Sequence, residues 1–187
     1  GPMSFVTGLV LAAVGGGAAT AIAVHDFFEG ETLIADLFRA RRLARRDIAE
    51  LDRKAQAVDA RGPVVTLTTI PSRIEHIGMT LKSLLDQSLP PAEIRLNVPY
   101  HSRRENCGYE IPEWLSRLAT VTVVRCEDFG PATKLFPSLT ALDADAAIVV
   151  VDDDRIYPPD FLKVLASEAE ADRDAAIGLS GWVVPAD

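Results

Sequence analysis

The chain reads as an α/β protein with a mostly parallel sheet and flanking helices, and three observations predict this. After Pro63, short β-branched runs alternate with segments whose apolar residues recur at helical spacing. Proline and glycine breakers separate these segments. Of the 187 residues, 48% are hydrophobic, enough for one core of ordinary size.

Val64–Thr69 (VVTLTT) is the first predicted strand, β-branched apart from one leucine. Ile74, Ile77, Leu81, Leu84 and Leu85 follow at helical steps, and Pro90-Pro91 closes that segment. Glu93–Val98 (EIRLNV) is the second strand. A proline-capped helix around Glu113–Leu118 precedes the third, Val121–Arg125 (VTVVR). Pro131–Leu142 is helix-like, Ala146–Val151 is the fourth strand, Pro159–Ala171 a helix, and Ala175–Leu179 a fifth strand. Such alternation implies right-handed crossovers between parallel strands. Ligands of these sheets bind beyond the carboxyl ends of the strands. Three loops are therefore expected on one rim: Ile70–Arg73, Glu127–Lys134 and Asp152–Tyr157.

Two segments precede this domain, giving an apolar stretch at 1–30, an amphipathic helical connector at 31–62 and the α/β domain at 63–187. Phe5–Val24 is an uncharged run of 20 residues; as a helix it would be about 30 Å long, the thickness of a bilayer core. No Lys or Arg precedes it, whereas Arg39, Arg41, Arg42, Arg45 and Arg46 follow, so the positive-inside rule predicts a membrane anchor with the remainder facing the cytoplasm. A buried or partner-bound hairpin is the alternative, and the Gly15-Gly16-Gly17 run lacks the spacing of a dinucleotide fingerprint. From Glu31 to about Ala60, Leu33, Ile34, Leu37, Phe38, Leu43, Ile48 and Leu51 recur at three- and four-residue steps. That helix could lie along an anionic membrane, pair with another helix, or serve as an exposed connector. Gly1-Pro2 ahead of Met3 reads as a cleavage remnant.

The net charge of −8 argues against a nucleic-acid binder. Cys107 and Cys126 do not make a disulfide framework, which points to a reducing compartment. His25, His76 and His101 are scattered and show no metal-ligand spacing.

Asp152-Asp153-Asp154, directly after an apolar strand, is the most informative motif. Three adjacent carboxylates at the end of a buried strand are costly unless a cation or donor array offsets them. Oxygen-only ligands suit Mg²⁺ or Mn²⁺. The alternative is a solvated acidic turn that caps the following helix. On the first rim loop, Thr68-Thr69-Ile70-Pro71-Ser72-Arg73 offers hydroxyls, backbone amides and a guanidinium suited to a base, ribose or phosphate; Ser72 could instead be a helix cap. Asp128-Phe129-Gly130-Pro131-Ala132-Thr133-Lys134 combines a carboxylate, a tight turn and a lysine in a first helical turn. There the helix dipole slightly disfavours a cation, so Lys134 meets an anion such as a diphosphate or salt-bridges one of the aspartates. Arg155 and Tyr157 flank the triplet and could bind ligand or neutralise it.

Together, VTLTTIPSR, CEDFGPATKL and IVVVDDDRIYPPDFL resemble glycosyltransferases of the GT-A fold, nearest to bacterial family-2-like proteins and the exostosin-type transferase domain. The resemblance covers roughly Val64–Trp182. It implies transfer of a sugar from a nucleotide-sugar donor to a glycan or lipid-linked acceptor, with Mn²⁺ or Mg²⁺ held by Asp152 and Asp154 and Asp152 facing the ribose. It further implies that Thr69, Pro71, Arg73, Asp128, Lys134 and Asp153 contribute to the nucleotide-sugar site. Family members carry a longer stretch after the metal motif, which supplies the acceptor side and a base, whereas 33 residues follow Asp154 here. The base is accordingly expected outside this chain, with a partner subunit or homo-oligomer as one way to complete the site. The alternatives are a non-catalytic membrane-associated assembly or scaffold subunit and a sugar-phosphate nucleotidyltransferase, though the latter expects a Gly-rich first loop that is missing here.

Overall fold

The computed structural model describes residues 33–172 and 175–178. The expected apolar helix at 5–24, like the rest of 1–30, lies outside the described residues, as do Leu179 and Trp182. Among the described residues no helix is long and apolar enough to cross a membrane. The chain divides into two compact units between Ala44 and Arg45.

In the first unit the described element is one helix, α1 (Leu33–Ala44), with Arg41 and Arg42 in its last turn. The second unit opens with α2 (Ile48–Gln56). The single helix expected over residues 31–60 is thus two. Asp47 is the reason: it takes an extended conformation (φ −74°, ψ 128°) and its carboxylate accepts the Ala49 N–H at 3.1 Å, the geometry of an N-cap. Nor is α2 a loose connector. It packs on α3 (Gly78–Leu85), and its buried Asp52 accepts the backbone N–H groups of Ala119 (2.8 Å) and Thr120 (2.9 Å).

The sheet consists of β1 (Val64–Thr68), β2 (Ile94–Pro99), β3 (Val121–Cys126) and β4 (Ile148–Val150). All pairings are parallel, in the order β3-β2-β1-β4. Alternation sends Val65, Leu67, Ile94, Leu96 and Val98 to one face, where all are fully buried; Leu51, Leu81, Leu84 and Leu85 complete the core. The opposite face carries Thr66 and Asn97, which are also fully buried. They lie under a 3-10 turn (Gly130–Lys134) that leads into α4 (Phe136–Ala141). Thr66 Oγ1 donates to the Lys134 carbonyl or to Ser138 Oγ, both at 2.7 Å, and accepts from Asn97 Nδ2 at 3.0 Å. A polar network, not an apolar seam, fastens that segment to the sheet.

Four other expected elements differ. Glu113–Arg117 is a 3-10 turn, and the helical pattern at 131–142 splits into the 3-10 turn and α4. β4 is shorter than expected because Ala146 N–H closes a turn onto the Asp143 carbonyl before the strand begins. No strand forms over the described residues 175–178, where Ala175, Ala176 and Gly178 are weak β-formers. After β4 the chain runs through the acidic triplet to α5 (Phe161–Ala171).

Candidate functional site

In this strand order, β1 leads to β2 on one side while β4 pairs with β1 on the other. The crevice between the carboxyl ends of β1 and β4 is therefore a topological switch point, where open α/β sheets bind ligands. Thr69 emerges at one lip and Asp152-Asp153-Asp154 at the other.

Pro71 shapes the first lip. It lacks an N–H, holds Ile70 extended (φ −108°, ψ 158°) and starts a 3-10 turn over Pro71–His76. That turn aims Arg73 across the crevice. Arg73 Nη2 lies 3.0 Å from Asp153 Oδ1, and Nη1 lies 2.8 Å from Asp154 Oδ2. Thr69 Oγ1 donates to Asp153 Oδ2 at 2.5 Å, and Thr80 of α3 donates to the Asp153 carbonyl at 2.8 Å. From the segment after β3, Lys134 Nζ reaches Asp152 Oδ1 at 3.0 Å. Thr69, Arg73, Asp152, Asp153, Asp154 and Lys134 thus converge, and Lys134 takes the salt bridge that was one of its two expected roles.

The three aspartates are not equivalent. The Asp153 side chain is 6% exposed and enclosed by Thr69 and Arg73, whereas those of Asp152 and Asp154 are 54% and 58% exposed. The triplet does not cap a helix, since α5 begins only at Phe161 and its Leu162 N–H is accepted by Gln87 Oε1 at 3.0 Å. Ser72 is not a cap either: its N–H and hydroxyl both donate to Glu105, at 2.9 and 2.5 Å. That hydroxyl contact is the first cause holding the Glu105 carboxyl below the usual range.

Asp128 takes its hydrogen-bond partners from the loops after β2 and β3. It accepts the Arg103 N–H at 2.7 Å and the Gly130 N–H at 2.7 Å, closing the turn in which Gly130 adopts φ +61°. These backbone donors, Arg103 foremost, lower its pKa. Pro71 contributes shape rather than a polar contact.

Two tyrosines complete the rim. The Tyr157 hydroxyl accepts the Asp152 N–H at 2.8 Å and lies 3.3 Å from the Asp152 carbonyl, and burial pushes its pKa up to about 12. Tyr109 donates to the Thr69 carbonyl at 2.9 Å, and its pKa is also raised by burial. Tyr109, Arg103 and Glu105 belong to the loop after β2, which joins the three expected loops on the rim. The signal was available: in a parallel sheet every strand ends at the same edge, so the β2 loop belongs there too. Thr80 carried a weaker one: with Ser83 and Gln87 at i+3 and i+7 it makes a buried polar line beside the leucines of its helix.

Among the described residues, no three His, Cys, Asp or Glu side chains are grouped to hold a metal ion. A Mg²⁺-like ion does not need such a cage: it takes one or two carboxylates and completes its shell with water and phosphate oxygens. Asp152 and Asp154, exposed and offering only oxygen, fit that requirement, while the enclosed Asp153 does not.

The fold and rim define an α/β protein with a charged crevice at the switch point of a four-stranded parallel sheet. Compared with known proteins, the chain matches no family model, no curated protein and no solved structure.

Proposed function

We propose that the chain is a GT-A-type glycosyltransferase, acting on a nucleotide-sugar with Mn²⁺ or Mg²⁺ and passing the sugar to a glycan or lipid-linked acceptor. One observation carries this reading: Thr69 and Arg73 after β1 and Lys134 after β3 all meet the acidic triplet after β4. Asp152 and Asp154 would hold the metal, which when bound supplies Lewis-acid stabilisation of the departing diphosphate. Arg73 and Lys134, released from Asp154 and Asp152, would direct their charge to the same phosphates. Asp153 acts as a keel, fixed by Thr69, Arg73 and Thr80, and Tyr157 sets the backbone from which the Asp152 carboxylate projects. Asp128, with Pro71 shaping the facing lip, would meet the nucleotide at the outer edge.

Calorimetry with UDP, GDP and CDP, with and without Mn²⁺, tests the proposal. Metal-dependent binding of one nucleotide, lost in Asp154→Ala and retained in Glu168→Ala on α5, is expected. Absence of binding to any of them refutes it and favours the scaffold reading. That second reading draws on the charge pairing itself, since Arg73 and Lys134 already neutralise the carboxylates they face.

A further inference from the structure

From the exposed face of α1 (Leu33–Ala44), we infer that this helix binds the surface of an anionic lipid bilayer. Leu37 and Phe38 are 52% and 66% exposed, although burying each would remove a large apolar side chain from water. One turn later, at i+4, Arg41 and Arg42 share their face and are exposed as well. The pairs Leu37/Arg41 and Phe38/Arg42 therefore present apolar tips beside guanidinium groups. Leu43, on the opposite side of the helix, is buried.

Charge selects the occupant. The protein carries a net charge of −8, yet three of its 19 basic residues fall within Arg39–Arg42. Its general surface is repelled by anionic headgroups while this helix is attracted to them. The apolar tips enter the acyl boundary, and the arginine stems lie along them with their heads among the phosphates.

Full-length protein carrying Phe38→Trp, with the wild-type signal subtracted, is mixed with vesicles of brominated-chain phosphatidylcholine, alone or with phosphatidylglycerol. Emission from position 38 should shift to the blue and be quenched in the anionic vesicles, and far less in the neutral ones. Each arginine near such a surface strengthens binding about fivefold, so Arg41→Ala/Arg42→Ala should weaken partitioning by about 30-fold. Arg41→Lys/Arg42→Lys should retain most of it, and urea midpoints of both variants should match the parent. Position 38 remaining in water with anionic vesicles overturns the inference, as does equal quenching in neutral ones. A lipid-free shift that grows with protein concentration also overturns it, assigning the face to a second copy of the chain.

Discussion

Removing Arg73 is the most direct probe of the rim, because one guanidinium spans two carboxylates of unequal exposure. In Arg73→Ala, Asp153 loses its ion pair and keeps the Thr69 hydroxyl at 2.5 Å. Unit charges about 4 Å apart at an effective dielectric of about 20 attract by about 4 kcal/mol. Arg73 is 40% exposed, so water screens much of this, and about half is the defensible share. Stranding one acceptor of an enclosed carboxylate adds about 1 kcal/mol. The expected loss is about 2–3 kcal/mol, read as a fall of about 1 M in the urea midpoint. Asp153→Asn removes the charge but keeps the shape, and should cost about 1–2 kcal/mol. If the stranded charge is the cause, Arg73→Ala/Asp153→Asn should be no worse than Arg73→Ala alone. Additivity within about 0.5 kcal/mol would refute this reasoning and make the pair an ordinary solvated one.

Further outcomes follow from the same geometry. Asp52→Ala should lower stability by about 3 kcal/mol by stranding the N–H groups of Ala119 and Thr120, with Asp52→Asn costing about half; a midpoint within 0.5 M of wild type would mean that α2 is only loosely attached. Tyr157→Phe should weaken metal-nucleotide binding several-fold in calorimetry while costing only about 1 kcal/mol of stability. Because the folded Tyr157 pKa of about 12 lies above the unfolded value of about 10, its contribution is full below about pH 10 and is lost as pH climbs through the folded value; the late step in a phenolate absorbance titration should vanish in the Phe variant. Asp128 has a lowered folded pKa, so its contribution is present above about pH 4 and fades as pH falls through the folded value. The stability gap between wild type and Asp128→Asn should therefore close on acidification, and a gap that widens would contradict the assigned cause.

Strand runs such as VVTLT and IRLNVP were legible because β-branched residues bounded by proline mark strands without help from tertiary structure. The parallel order and its rim follow from alternation with helices. Local capping was harder to see. Asp47 breaks a continuous apolar period by taking over one N–H group, and periodicity alone cannot register a single hydrogen bond. The Thr66–Ser138–Asn97 network is not legible in the sequence for a related reason: its members are distant along the chain, and each alone reads as an ordinary polar residue in a strand or helix. Thr69, Arg73, Lys134 and the aspartates could be nominated from residue type and position. Which carboxylate each would meet depended on register and turn geometry.

That distinction divides labour within the triplet. Arg73 and Asp154 are 81 positions apart in the chain, and Lys134 and Asp152 are 18 apart; the first contact forms because β1 and β4 are neighbours, the second because the turn after β3 is fastened over β1 by the Thr66–Lys134 hydrogen bond. The outer aspartates each face a cation from a different loop, so their charges can be traded between lysine or arginine and an incoming ligand. The central one is closed off and cannot take part in that exchange without opening the Thr69 and Arg73 contacts. Substitutions at Asp152 and Asp154 should then alter ligand affinity with little effect on the urea midpoint, while substitution at Asp153 should lower the midpoint first. If instead the outer positions govern folding and the central one affinity, the division of roles is reversed, and the keel assigned to Asp153 does not exist.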